Sequence, residues 1–456
     1  MKKWVGAVFL FYLWSINSQA QVASLVPFHD QSKLLAKIQA ASVQKIFGLD
    51  KDEDVLLFSR DGQSVAYFSY TKDKQFFVIN GKPQKPYDVV QVRGARFNAD
   101  GSRLAYVAER NHHKILVVNG EESKEYGGIN RIRFSPDGKR LAYMASPSSG
   151  EGSVDKDILV VDGKEVAQHA LSYAFSLDGQ KLAYIQYEWN PPEDPKFDLY
   201  VDGRKVNQAP YVYMGSEFVF SADSKRLAYI AGEKGKGMFV VVDGKEGPRF
   251  DRVKDLHLSS DGARIAYVGE KGPEYGNNTQ GAVVWDEKVQ KAYPNIYRLT
   301  MDPKGSKIAY AANKKGQKMW EYFIVVNESE TFGNPMMPGA IVFSSDGAHL
   351  AVVGNKTDGA FLRYTMFEDG KELGECLDDS WPVFSPNGQN VAFKVRSSHW
   401  IPGTWKEAIQ VDSQESASKD YDKVWTPVFS PDGKSIGYNA LKGNEVWWVV
   451  EKTFSK

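Results

Sequence analysis

The amino-acid sequence predicts an all-β fold assembled from about ten similar units, and two repeated turn signals carry that prediction. The first signal is an aromatic-Ser-x-Asp-Gly turn followed by Leu-Ala-Tyr or a close variant, as in Phe134–Gly138 with Leu141–Tyr143. The residue that ends this motif recurs about every 41 residues, at Tyr67, Tyr106, Tyr143, Tyr184, Tyr229, Tyr267, Tyr310, Val352, Phe393 and Tyr438. Unrelated domains in series would not keep one period over the whole chain.

The second signal is an Asp-Gly or Asn-Gly pair between β-branched runs, best seen in Val160–Lys164 and Val241–Lys245. These pairs are the preferred two-residue hairpin turns, because both central residues need positive φ. In the Ser-Pro-Asp-Gly form of the first turn, Pro presets one corner and Gly takes the left-handed position. Two hairpins in each repeat predict four short antiparallel strands.

Four-stranded units at a period of about 40–45 residues define a β-propeller. A single wide ring and two smaller propellers in tandem both fit this repeat number, and the lack of an obvious linker favours one continuous array. The last repeat ends at Val446–Val450, which leaves little room for a fourth strand. We expect Ser42–Phe47 to supply that strand, preceded by a short helix over Asp30–Ala41 whose N-cap is Asp30.

The Phe-Ser-Pro-Asp-Gly-Lys-x-Leu-Ala-Tyr core at Phe134–Tyr143 resembles the TolB-type, WD-like propeller repeat. The resemblance covers roughly residues 51–456, and similar repeats build the propellers of tricorn protease and the prolyl oligopeptidase family. It implies the fold but not the activity, since such propellers serve as scaffolds, gates and enzymes. Neither the additional α/β domain of TolB nor the hydrolase domain of the peptidases accompanies the repeats in this sequence.

Residues 1–20 have the pattern of a secretory signal peptide. Lys2 and Lys3 precede the apolar run Trp4–Ile16, and Ser18 and Ala20 place small residues where a signal peptidase cuts. The sequence therefore predicts cleavage after Ala20 and a periplasmic or secreted protein. The predicted division is a signal peptide at 1–20, a helix and closing strand within 21–50, and the repeat array at 51–456.

Composition narrows the classes of partner. The chain has 456 residues, with 57 Lys and Arg against 57 Asp and Glu, so its overall charge indicates no basic face for nucleic acid. No nucleotide-binding, metalloprotease or serine-hydrolase motif is found, and we predict no cofactor and no metal. The single cysteine, Cys376, excludes an intramolecular disulfide.

The connections between second and third strands all emerge on one face of a propeller, and they differ in length in this sequence. Those of the third, fourth, sixth and ninth repeats are extended. Aromatic residues in such loops make rigid contacts with proteins or sugars, and the candidate recognition residues are Tyr187, Trp189, Tyr275, Trp400 and Trp405. The alternative is that these rings fold back to fill gaps between neighbouring repeats.

These observations predict an exported binding or scaffold protein that recognises a protein or a cell-envelope component, with a glycan among the candidates, through the loops of one face. The alternative is a propeller enzyme, a polysaccharide lyase or hydrolase, with its site in the central channel. Such a site could recruit His169, His257 or His349 from different repeats. A third possibility is a purely structural spacer in an envelope complex.

Overall fold

The computed structural model describes eleven segments of the chain, namely residues 28–38, 56–147, 157–188, 195–207, 213–272, 280–315, 320–334, 338–358, 361–396, 406–415 and 421–453. Within these segments all the regular structure is β-strand, arranged as ten antiparallel sheets. The sheets form the blades of a ten-bladed β-propeller, which confirms the fold class that the repeat predicts. The described residues contain no helix with the length and apolar character needed to cross a membrane.

Strand β1 (Lys33–Lys37) belongs to the last blade, and the other strands fill the blades in chain order. Blade 1 contains β2 (Leu56–Phe58), β3 (Val65–Tyr70), β4 (Gln75–Ile79) and β5 (Lys82–Pro83). Blade 2 contains β6 (Val89–Phe97), β7 (Leu104–Arg110), β8 (His113–Val118) and β9 (Glu121–Glu122). Blade 3 contains β10 (Gly128–Phe134), β11 (Leu141–Ser146), β12 (Ile158–Val161) and β13 (Lys164–Ala167).

The middle blades repeat the same order. Blade 4 contains β14 (Ala170–Phe175), β15 (Leu182–Glu188), β16 (Lys196–Val201) and β17 (Arg204–Lys205). Blade 5 contains β18 (Tyr213–Phe220), β19 (Leu227–Glu233), β20 (Gly237–Val242) and β21 (Lys245–Glu246). Blade 6 contains β22 (Arg252–Leu258), β23 (Ile265–Lys271), β24 (Gln280–Trp285) and β25 (Lys288–Tyr293). Blade 7 contains β26 (Asn295–Met301), β27 (Ile308–Lys315), β28 (Trp320–Val326) and β29 (Ser329–Asn334).

The last three blades complete the ring. Blade 8 contains β30 (Ala340–Phe343), β31 (Leu350–Asp358), β32 (Phe361–Glu368) and β33 (Lys371–Cys376). Blade 9 contains β34 (Val383–Phe384), β35 (Val391–Arg396), β36 (Glu407–Val411) and β37 (Gln414–Glu415). Blade 10 contains β38 (Lys423–Val424), β39 (Val428–Phe429), β40 (Ser435–Lys442) and β41 (Glu445–Lys452), together with β1.

The first strand of each blade lies at the axis of the propeller. Contacts between neighbouring blades join first strand to first strand, as between β6 and β10 and between β22 and β26. The second strand carries the Leu-Ala-Tyr motif and is buried along most of its length. The last strand has only two residues in several blades, and its Lys and Glu side chains are exposed. A short, charged outer edge discourages pairing with other chains.

The hydrophobic core is divided among the gaps between blades. The described residues form ten clusters of buried side chains, and each cluster joins two consecutive blades. One of them joins blade 10 to blade 1 through Leu441 and Val446 on one side and Leu56 and Val65 on the other. The array is therefore one continuous ring, and the tandem arrangement is excluded.

Closure of the ring differs from the expectation. Residues Lys33–Lys37 form a β-strand, so the helix expected over Asp30–Ala41 is wrong. Strand β1 pairs antiparallel with β41 and supplies the missing outer strand of blade 10. The expected closing strand, Ser42–Phe47, lies outside the described residues. A closing strand from the N-terminal region was anticipated, but the segment that provides it is an earlier one.

Trp448 on β41 organises this closure. Its indole Nε1 donates a hydrogen bond of 3.0 Å to the His29 carbonyl, and Phe28 packs edge-to-face on its ring. A Cβ atom on Gly62 of blade 1 would lie 2.0 Å from the same ring, so only glycine permits this approach. The ring of Trp448 thus contacts the N-terminal segment and blade 1 at once.

The tyrosine of the Leu-Ala-Tyr motif fills the gap between blades. In five gaps between the described strands it packs edge-to-face with an aromatic side chain that lies two residues before the first strand of its blade. The centroid distances are 6.1–6.5 Å, in the pairs Tyr87–Tyr106, Tyr126–Tyr143, Phe250–Tyr267, Tyr293–Tyr310 and Tyr421–Tyr438. The hydroxyl groups of these tyrosines differ in their hydrogen bonding. The Tyr438 hydroxyl donates to Glu451 at 2.5 Å, whereas the buried Tyr310 hydroxyl has no hydrogen-bond partner among the described residues.

We expect Ala36→Asp to open the ring. Ala36 is buried between blades 10 and 1, and an unpaired carboxylate there would lower the free energy of unfolding by about 3 kcal/mol or more. Chemical denaturation would measure this change in the free energy of unfolding. Lys33→Asp is the control, because Lys33 is exposed on the same strand, and it should change stability by less than about 0.5 kcal/mol. Equal effects would contradict the assigned closing strand.

The two tyrosine environments predict opposite results for removal of a hydroxyl group. Tyr438→Phe should lower the free energy of unfolding by about 1 kcal/mol, because Glu451 loses its donor. Tyr310→Phe should leave stability unchanged or raise it, because the hydroxyl is buried without a partner. Thermal denaturation of both variants beside the wild type would measure these two changes in stability. Similar losses in both would show that the Tyr310 hydroxyl is hydrogen-bonded.

Candidate functional site

The antiparallel strand order gives the ring two unlike faces. In blades 1 to 9 the turns from first to second strand and from third to fourth strand lie at one end of the blade. The connections from second to third strand, and from each blade to the next, lie at the other end. We call these ends the turn face and the insertion face.

The turn face is built from one repeated hydrogen-bond pattern, seen clearly in blade 3. The Ser135 hydroxyl donates to Asp137 at 2.5 Å and accepts from the Arg140 N–H at 2.9 Å. The Gly138 N–H donates to the Ser135 carbonyl at 2.8 Å, with Gly138 at a φ of 73°. The same Ser–Asp contact recurs at Ser59–Asp61, Ser176–Asp178, Ser221–Asp223, Ser259–Asp261, Ser344–Asp346 and Ser430–Asp432.

The Asx residues of the hairpin turns have a second role that the sequence analysis missed. Besides adopting positive φ, their side chains accept a hydrogen bond from the first residue of the second strand. Asp162 accepts from the Leu141 N–H at 2.8 Å and Asn80 from the Val65 N–H at 2.8 Å. Each hairpin is thereby fastened to the Ser-x-Asp-Gly turn of its own blade, which explains why Asp or Asn precedes Gly.

Neighbouring turns also contact one another across the gaps between blades. Lys181 donates to the Ser224 carbonyl at 2.7 Å, and Lys307 donates to the Gly347 carbonyl at 2.7 Å. Arg103 donates to the Lys139 carbonyl at 3.1 Å. The polar groups of the turn face are therefore used to hold blade to blade.

The insertion face is irregular. The connections between second and third strands cover only 111–112 in blade 2 and 443–444 in blade 10. In blades 3, 4, 6 and 9 they cover 147–157, 189–195, 272–279 and 397–406. These are the four extended loops that the sequence singled out, and the strand order brings their ends to one face.

Tyr187 is the only candidate recognition residue that the structure describes. It lies near the end of β15, pairs with Phe197 across the sheet and is half-buried. The His169 ring packs edge-to-face against the Tyr187 ring, with 6.0 Å between the ring centres. The backbone N–H of Tyr187 donates a hydrogen bond of 3.1 Å to the His169 carbonyl. The side chain therefore stands at the insertion face, supported by the start of blade 4.

The other four candidates, Trp189, Tyr275, Trp400 and Trp405, lie outside the described residues. The described strand ends beside them are Glu188, Lys271 and Arg396, and all three belong to the insertion face. Their assignment as recognition residues stays a prediction.

Acidic side chains anchor three connections between second and third strands at this face. Asp88 accepts from the Asn111 N–H at 3.0 Å, Asp251 from the Gly272 N–H at 2.7 Å. Asp422 accepts from the Gly443 N–H at 2.6 Å. These residues were not among the predicted ones, although each follows an aromatic residue of the connection between blades. The repeated aromatic–Asp pair was the sequence signal that could have identified these three anchoring residues.

A buried charged cluster lies between blades 9 and 10. Lys394 is almost fully buried and donates to Asp379, whose side chain is largely exposed. Glu407 accepts a hydrogen bond from the Val424 N–H at 2.9 Å, and burial raises the pKa of its carboxyl group. In blade 1 the same role belongs to a neutral amide, since Gln75 accepts from the Val90 N–H at 2.9 Å.

The histidines proposed for a channel site do not converge. His257 on β22 is buried, and desolvation lowers the pKa of its imidazole. His349 is hydrogen-bonded to Asp369 at 2.7 Å on the turn face, and His169 contacts Tyr187 on the insertion face. Among the residues that the structure describes, no three His, Cys, Asp or Glu side chains are grouped as a metal site requires.

No protein-family model and no curated protein matches this sequence. Similarities are found among solved structures. A eukaryotic initiation factor is 12% identical with a TM-score of 0.45, over 77% of this chain and 94% of that one. Dipeptidyl peptidase 4 of Porphyromonas gingivalis is 11% identical with a TM-score of 0.40, over 81% of this chain and 68% of that one.

The β-propeller domain of Cps50 (Swd1) from Myceliophteria thermophila is 13% identical with a TM-score of 0.29, over 58% of this chain and 96% of that one. Likenesses of this degree establish neither a family nor an activity for this chain. Its function has to be argued from its own residues.

Replacing Glu407 with Gln should stabilise the protein at neutral pH. A carboxyl group whose pKa is raised by folding contributes stability that is fully present below its unfolded pKa and is lost as the pH rises through the folded value. We therefore expect Glu407→Gln to raise the melting temperature by a few degrees at about pH 7, with the difference shrinking towards about pH 4.

Gln75→Glu in blade 1 is the matched control and should introduce the same pH dependence where none exists. If Glu407→Gln instead destabilised the protein at neutral pH, the carboxylate would be charged and paired with Lys394.

Proposed function

We propose that this chain is an exported β-propeller that acts as a binding or scaffold protein and recognises a protein or cell-envelope component through its insertion face. The observation that carries the proposal is the contrast between the two faces. The turn face repeats one hydrogen-bond pattern around the ring and uses its polar groups internally. The insertion face differs from blade to blade.

A binding surface needs features that break the symmetry of a repeat, since identical blades present identical groups in every direction. Loops on a rigid scaffold supply such features. Tyr187 at the rim of blade 4 offers an aromatic ring that is half-buried and held by Phe197 and His169. Trp189, Tyr275, Trp400 and Trp405 belong to the extended loops of the same face, and large aromatic side chains dominate the binding energy of protein interfaces.

Export is part of the same proposal and rests on residues 1–20, whose sequence has the charged, apolar and small-residue regions of a signal peptide. The TolB-type resemblance of the repeat is in keeping with an envelope location. A cleaved protein recovered from outside the cytoplasm would begin at Gln21, and intact-mass measurement identifies that residue.

The exported protein, immobilised and exposed to an envelope extract, should retain a specific component. The double variant Trp400→Ala/Trp405→Ala and the single variant Tyr187→Ala should each reduce retention about tenfold or more, because loss of one anchoring aromatic ring removes roughly 2 kcal/mol of binding energy. Quantitative mass spectrometry of the retained material makes the measurement.

Lys139→Ala/Lys225→Ala is the matched control, because both side chains are exposed on the turn face and their removal should leave retention unchanged. Circular dichroism would verify the fold of every variant. Retention lost in the control and kept in the aromatic variants would place recognition on the turn face and overturn the proposal.

A further inference from the structure

Two opposite charges occupy corresponding positions on the innermost strands of blades 6 and 7. Asp255 lies in the bulge of β22 and Arg298 in the bulge of β26, where each strand shifts its register against the second strand. The same bulge holds Arg131 in blade 3, and all three residues have a φ of 52–57°. This backbone geometry is a shared feature of the repeat, so the three side chains can be compared directly.

The three side chains differ in the bonds they make. The Arg131 guanidinium donates a hydrogen bond of 3.0 Å to the Leu171 carbonyl on the first strand of the next blade. The Arg298 guanidinium has no hydrogen-bond acceptor among the described residues, and the Asp255 carboxylate has no donor there. Both side chains are half-buried, so each charge is partly removed from water without a partner in the described protein.

The groups beside Asp255 on its own strand do not neutralise it. Lys254 is bound to Glu270 at 2.5 Å, and Arg252 donates to the other oxygen of the same carboxylate at 3.0 Å. His257 is buried, and desolvation lowers the pKa of its imidazole although the Asp255 carboxylate opposes that shift. The two basic side chains on this strand therefore pair with Glu270, and the buried imidazole favours its neutral form.

Asp255 and Arg298 lie near each other without forming an ion pair. Strands β22 and β26 are neighbouring first strands in contact. Burial lowers the pKa of the Arg298 guanidinium, and the Asp255 carboxylate partly opposes this shift, so the two charges interact. No oxygen of Asp255 is within 4.0 Å of a guanidinium nitrogen. Because charges removed from water are normally paired, a molecule that carries both signs would satisfy the two groups together.

From these observations we infer that Asp255 and Arg298 form a binding site for a small zwitterion, an amino-acid-like molecule whose ammonium group pairs with Asp255 and whose carboxylate pairs with Arg298. A guanidinium fork holds a carboxylate in bidentate geometry, and an ammonium group supplies three donors. The site discriminates against ligands of one sign, since a simple anion would meet Asp255 and a simple cation Arg298. It lies on the channel wall and not on the insertion face, so it goes beyond the proposed function.

The probes are glycine, β-alanine and 4-aminobutyrate, zwitterions whose two charged groups are separated by one, two and three carbon atoms. Each is compared with its N-acetyl derivative, which keeps only the carboxylate, and with its amide, which keeps only the ammonium group. Isothermal titration calorimetry with the whole protein, at about 50 mM salt and up to about 20 mM ligand, should detect binding of at least one zwitterion and of neither derivative.

Asp255→Asn and Arg298→Gln should each weaken binding of that zwitterion about tenfold or more, because each removes one charge-assisted partner. Arg298→Lys keeps the charge and should bind more tightly than Arg298→Gln. Without ligand, Arg298→Gln should leave the melting temperature unchanged or raise it, because the half-buried guanidinium has no acceptor among the described residues. A fall of several degrees would show that the protein itself holds this guanidinium and would contradict the site.

Arg131→Gln is the matched control. It removes the same charge from the same bulge position in blade 3 and should leave the affinity unchanged, although loss of the bond to Leu171 lowers the melting temperature. Equal weakening by this control would show a general effect of charge and overturn the site. No binding of any of the three zwitterions, or equal binding of the N-acetyl or amide derivatives, would also overturn the assignment.

Discussion

The structure depends on a simple constraint, namely that a four-stranded blade cannot bury its own apolar faces. Each hydrophobic cluster is shared by two blades, so every blade needs a neighbour on both sides. A linear array would leave two such faces in water. The cluster that includes Ala36, Leu56 and Leu441 removes both at once by joining blade 10 to blade 1. Ring closure is therefore a requirement of the core rather than an addition to it.

Local signals predicted the repeated unit, because its turns are fixed by residues a few positions apart. The Ser-x-Asp-Gly and Asp-Gly turns occur where expected, with four strands around them. The closing strand escaped prediction for a physical reason. In Lys33–Ile38 the apolar residues suit one face of a helix as well as a strand, and the choice is made by pairing with β41, more than 400 residues away. Long-range pairing leaves no trace in local periodicity.

The candidate site, like the fold, was predictable from the sequence only in part. The positions of the extended loops could be read from spacing, whereas the groups that converge between blades could not. Glu407 is placed beside the Val424 N–H of the next blade, and Arg131 reaches a carbonyl on β14. In a ring built from repeats, the specific features of the molecule come from the few positions where one blade differs from the others.

The ladder between β1 and β41 has a consequence for biosynthesis. Residues 445–452 are made last among the strands, yet the strand that must join them is made first. Throughout translation the growing chain is thus an open stack whose first blade presents Leu56 and Val65 without a cover. Partly made stacks with exposed apolar faces are prone to aggregate. The ring can therefore close only after the final hairpin is available, because β1 and the open side of blade 1 have no partner before then.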